Sequence, residues 1–119
     1  MTFPNVRYQL AAKFTTSIIP QSAETQCYFC GKKFGLCRHH CLHGRGIKKL
    51  AEEDGLWIWI CDSCHNMSNE SVHLDPERKK DKALQKLAQD TLISKYRKQG
   101  YPEQIARDLF RERYGRFYD

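Results

Sequence analysis

Apolar residues recur along this chain with two periods, and the change from one to the other divides it. Leu36 to Cys41 has no helical stripe and reads as extended. Gly44-Arg45-Gly46 breaks the chain, after which Ile47, Leu50 and Ala51 fall at i, i+3 and i+4, predicting a short helix over 47–54 that Gly55 stops. Leu56-Trp57-Ile58-Trp59-Ile60 is aromatic and β-branched, bounded by glycine and cysteine, and predicts a strand. Its alternation sets Trp57 and Trp59 on one side and Ile58 and Ile60 on the other, with one of those faces partly exposed. Asp62 or Ser63 can then cap a helix carrying Cys64, His65 and Asn66. Beyond Pro76 the period is helical. Ala83, Leu84, Leu87, Ala88, Thr91, Leu92 and Tyr96 form one stripe, and Gly100 ends it. Pro102 opens a second helix at its first position, with Ile105, Ala106, Leu109 and Phe110 as its apolar face, and Gly115 releases a tail ending in Phe117 and Tyr118. These stripes read as core, not as a cofactor surface. Before all this, Ile18-Ile19 ahead of Pro20 suggests a short edge strand, and Gln21 to Gln26 a polar connection.

The order strand, loop, strand, helix, helix predicts an α+β domain. It divides into an arm over 1–26, a core over 27–75 and a helical segment over 76–119 that belongs to the same domain. At 119 residues it can bury a modest core, and a metal staple would help. The net charge of +6 favours an acidic partner. Residues 76–119 hold 12 Lys and Arg against 7 Asp and Glu, so most of the excess lies there. That segment is either a phosphate-tracking surface or an ordinary solvated helical face. The first residues lack a positive run followed by an apolar one, so no secretory signal is expected. No stretch has the length of a membrane span, so we expect a cytoplasmic protein with reduced thiols.

All six cysteines and all five histidines lie between Cys27 and His73. Cys27-x-x-Cys30 and Cys61-x-x-Cys64 supply four thiolates, the number a closed tetrahedral zinc site needs. A redox role would need one such pair on a βαβ frame, and here there are two pairs and no such frame. The 30 residues between the pairs exceed the common ribbon spacing, and an excursion of strand, loop and strand that returns to its origin would bring them together. Cys37 and Cys41 are left over, as small buried residues or as competing ligands.

With zinc satisfied by sulfur, the histidines remain. His39, with His65 or Asn66, and His73 can hold a divalent ion and leave positions open for a phosphate oxygen and water. His40 would stay unligated and able to take a proton from water. In extended chain the two neighbours point apart, so they can take different roles.

The two Cys-x-x-Cys knuckles, the His39-His40 pair, the return strand into Cys61 and the following His65-Asn66 resemble the zinc-containing HNH endonucleases with a ββα-metal core, most closely the small phage and prophage proteins. The likeness covers about residues 17–119. It implies a phosphodiesterase acting on DNA or RNA, with His39 as metal ligand, His40 as general base, and His65 or Asn66 with His73 completing the site. Mg2+, Mn2+ or another divalent ion would serve catalysis beside the structural Zn2+. Arg38, Arg45, Lys48 and Lys49 would contact the nucleic acid. His39 stands where the family usually has Asp, which softens the metal preference. Cys41 and His43 stand where apolar residues are usual, and His43 is left as a phosphate contact, an accidental ligand or a surface residue. Two rivals use the same residues: a non-catalytic zinc module that binds nucleic acid, and an adaptor that inhibits a host enzyme. Monomer and homodimer both fit the sequence.

Overall fold

A computed structural model describes residues 15–67 and 78–119, apart from the side chains of Asn66 and Met67. Two strands, β1 (Leu36–His40) and β2 (Trp57–Cys61), pair antiparallel, with Leu36 opposite Cys61 and His40 opposite Trp57. Helix α1 (Ile47–Asp54) fills the excursion between them. It ends at Gly55, whose left-handed φ of 73° turns the chain back into β2. A Cβ at that position would collide with the carbonyl of Thr16, so glycine is required on two counts. The chain returns to its origin as the cysteine spacing demands.

After β2 the chain winds into a short π-helical turn, Ser63–Met67, where a regular helix was predicted. Two long helices follow, α2 (Lys79–Lys98) and α3 (Glu103–Tyr114). Pro102 sits at the N-cap of α3 with extended backbone, one residue earlier than the first-turn position assigned to it. The architecture is α+β.

The register explains the division of the sheet. Cross-strand partners share a face, so Cys37 and His39 lie with Ile60 and Ile58, while Arg38 and His40 lie with Trp59 and Trp57. Ile58 and Ile60 are fully buried, and the tryptophan face is the partly exposed one. Core residues from the sheet region (Leu42, Leu56, Ile58, Ile60) and from the helices (Leu84, Ala88, Leu92, Phe110) form one cluster. Two stripe assignments shift. Ala83 is exposed and Ile93 is buried in its place, and Ile105 is 44% exposed while Ala106, Phe110 and Tyr114 face inward. Gln89 is buried in α2 with both ends of its amide used, accepting from the Tyr118 N–H and donating to Asp119, which ties the tail down.

Residues 15–21 do not pair as a strand. They cover the backbone of β2 with side chains instead: Ser17 Oγ and Gln21 Nε2 donate to the Trp57 carbonyl, and Gln21 Oε1 accepts from the Trp59 N–H. The Tyr28 N–H takes the Trp59 carbonyl. An edge that would invite another strand is thereby blocked.

Candidate metal centre and histidine cluster

Cys27 and Cys30 lie on a tight turn in which Cys27 N–H bonds the Lys32 carbonyl and Gly31, at φ 80°, reverses the chain. Cys61 is the last residue of β2, and Cys64 lies in the π-helical turn. The antiparallel register brings these pieces together. The four sulfurs lie within 4.8 Å of one another, Cys30 Sγ and Cys61 Sγ at 3.6 Å. Four thiolates at the usual Zn–S length of about 2.3 Å span a tetrahedron with edges of roughly 3.8 Å, so the set fits a tetrahedral ion compatible with structural zinc. Among the described residues this is the group of three or more His, Cys, Asp or Glu that converges closely enough to hold a metal. Burial raises the Cys27 thiol, but backbone N–H groups of Cys30, Cys61 and Phe29 outweigh it and hold Cys27 at about 6, ready as a thiolate. No disulfide is formed by any of the six cysteines.

The leftover cysteines differ. Cys41 is fully buried, and burial pushes its thiol up to about 12, leaving a small inert core residue. Cys37 is half-buried, its Sγ 3.9 Å from His65 Nδ1, and burial followed by the nearby Asp62 charge raises its thiol.

The histidines separate by strand face. His39, 7% exposed, meets His65 of the π-helical turn with ring centres 5.3 Å apart and planes at 66°. His40 lies on the other face, where its Nε2 is 2.7 Å from Glu52 Oε1. The same Glu52 oxygen accepts from Arg38 Nη1 at 2.7 Å, and Thr15 donates to the carboxylate from its N–H and hydroxyl. Burial raises the Glu52 carboxyl, but these bonds, led by those of His40 and Arg38, hold it at about 2. An ionised carboxylate has no proton to donate, so His40 Nε2 carries the hydrogen of this contact and Nδ1 is the nitrogen that Glu52 does not use. Glu52 is a residue the sequence did not single out. It sits on a helix among Glu53 and Asp54, and no local signal distinguishes it from a solvated acid.

Other expected contacts are placed as follows. Arg38 is drawn into the Glu52 pair and over the Trp57 ring at 5.0 Å, whereas Arg45, Lys48 and Lys49 are exposed at the start of α1. His43 Nε2 is 2.9 Å from the buried Asp81 of α2, so it joins the core to the helices. The Asn66 side chain and His73 lie outside the described residues.

No protein-family model, no curated protein and no solved structure matches this chain. No helix among the described residues is long and apolar enough to cross a membrane.

Proposed function

We propose that this chain is a metal-dependent endonuclease of the HNH type, hydrolysing phosphodiester bonds in DNA. One observation supports it above the others: two histidines from separate elements, His39 of β1 and His65 of the turn after β2, meet beside a sulfur cluster that needs neither of them. Two imidazoles bound to one ion at the usual metal–nitrogen length of about 2.0–2.1 Å have ring centres roughly 5 Å apart, close to the separation of this pair. His39 and His65 would hold the divalent ion, with His73 as further donor. When bound, the ion supplies charge for the pentacovalent phosphate and the leaving oxygen.

The chain's own residues carry the remaining roles. His40 accepts the proton of the attacking water on Nδ1, the nitrogen Glu52 leaves free for it. Glu52 stabilises the imidazolium that forms. Arg45, Lys48 and Lys49 bind flanking phosphates.

A nicking assay on supercoiled plasmid, with Mg2+ or Mn2+ and an EDTA control, tests this. His40→Ala should lower cleavage by about 10²–10⁴-fold with the fold and zinc content kept. Wild-type cleavage by that variant would remove the mechanism. The second reading is a non-catalytic module that binds nucleic acid. It is favoured by Glu52 holding both His40 and Arg38 in what is also a sound structural pairing. It predicts salt-sensitive binding and no metal-dependent nicking.

A further inference from the structure

The turn that carries Cys27 and Cys30 displays aromatic rings that the core does not use. Phe34 is 71% exposed, far more than any other large apolar side chain among the described residues, and Tyr28 is 37% exposed. Scattered exposed apolar groups are ordinary, but here exposed Phe34 and Tyr28 lie on one short segment, with Tyr28 edge-on to Phe29. Along the chain Phe34 lies between Cys30, one of the four clustered cysteines, and Leu36, the first residue of β1. Its surroundings are cationic. Lys32 Nζ lies 4.7 Å from the centre of the Phe34 ring, and Lys80 Nζ of α2 lies 5.5 Å from that of Phe29. Lys33 lies on the same turn, paired with Glu24 at 2.9 Å. Among the described residues, Glu24 in that pair and Asp62 beside Gly35 bring acids to the same area.

We propose that this turn is a stacking platform for unpaired nucleotides, with the Phe34 ring taking a base and Lys32 the adjoining phosphate. A ring with an ammonium over it pairs a flat apolar face with a positive charge, which is what a nucleotide offers in complement. A duplex keeps its bases stacked on one another, so the platform selects single strands, frayed ends or bulges. Protein–protein interfaces are depleted in lysine, whereas lysines stand against both Phe34 and Phe29 here. The surface goes beyond the cleavage chemistry and stands or falls without it, since binding needs neither His40 nor the second ion.

The test is fluorescence anisotropy of the zinc-loaded full chain with a labelled single-stranded DNA oligonucleotide, its RNA counterpart and the matching duplex, with no added Mg2+ or Mn2+. Phe34→Ala should weaken single-strand binding about 5- to 150-fold, the span expected of one stacked base, and leave duplex binding nearly unchanged. Phe34→Trp should bind at least as tightly as wild type. Lys32→Gln should reduce the slope of log affinity against log salt by about 0.7. Either DNA or RNA preference supports the platform and names its source. Zinc content and a thermal melt confirm that the variants fold. Unchanged single-strand binding by Phe34→Ala, an equal loss on duplex, or no binding by wild type would overturn it. Binding is read with no added Mg2+ or Mn2+ and cleavage only with it, so a failed nuclease assay and a failed platform are told apart.

Discussion

Glu52 and Cys41 show how position alone sets the chemistry of a single group. Glu52 is one of three successive acids on α1, yet it gathers His40, Arg38 and Thr15. Its pull on the His40 proton should be visible directly. ¹⁵N spectra of the neutral ring should report hydrogen on Nε2 in wild type, persistence of that tautomer in Glu52→Gln, whose amide oxygen still accepts, and its loss in Glu52→Leu. A mixed tautomer in wild type would sink the pairing. Cys41 is the opposite case, a thiol with no partner charge to help it ionise. Its folded value, about 12, lies above the ordinary 9.0. The stabilising effect of keeping it neutral is therefore complete below pH 9 and is lost as pH rises toward 12. Cys41 should resist N-ethylmaleimide from pH 7 to 9 in the folded chain and react only on unfolding, as mass spectrometry of the labelled peptide would record.

At the level of elements, the sheet is too small to stand by itself. Two strands of five residues are marginal in water, and three devices support them. The first is the side-chain cover from residues 15–21, the second the packing of Ile58 and Ile60, and the third the cysteine cluster that joins the Cys27 turn to the end of β2 and the turn beyond. Removing the ion leaves four thiol groups crowded at one end of the sheet, with thiolate repulsion opposing closure. A strong chelator should lower the thermal midpoint by roughly 10 °C or more, since loss of several kcal/mol in a chain of this size has that effect. Zinc should restore it. A chelated protein that melts at the untreated temperature would show that the sulfurs hold no structural ion.

Across the whole molecule, polar links join the sheet region to the helices around the shared core. Tyr114 donates to Asp54 at 2.5 Å, and Arg113 Nε reaches the same carboxylate at 2.6 Å. Burial, followed by the Asp54 contact, raises the Tyr114 hydroxyl well above its ordinary range, so it remains a donor. A second link is buried Asp81, which accepts from His43 and from Arg78, a residue with left-handed backbone at φ 54°. Burial raises the Asp81 carboxyl, but those two partners bring it below its ordinary value. A depressed folded value means that its contribution is present at neutral pH and lost as pH falls through it. Asp81→Asn should cost about 1–3 kcal/mol at pH 7 by urea unfolding. An unchanged midpoint would mean the link carries no stability.

Much of this was written in the chain order. Two Cys-x-x-Cys pairs, an α1 ending at a glycine and a β2 read from its β-branched and aromatic run are local patterns, because helix ends, turns and strand periods depend on near neighbours. Their accuracy declines where neighbours in space intervene. Ala83 and Ile105 sit on helical stripes by period, but the direction of the core, set by packing against other elements, turned both outward. The separation of His39 from His40 followed from strand period, whereas their partners did not. The pairing of His39 with His65 or Asn66 is expected from residue types and the family likeness, not from any period. That Glu52 would claim His40 and Arg38, and that Asp81 would reach His43, are long-range facts. They depend on the β1–β2 register and on where α2 docks, and no sequence period encodes either. Residue types supplied the candidates for chemistry; only the closed chain, by choosing which of them face one another, decided their protonation and their company.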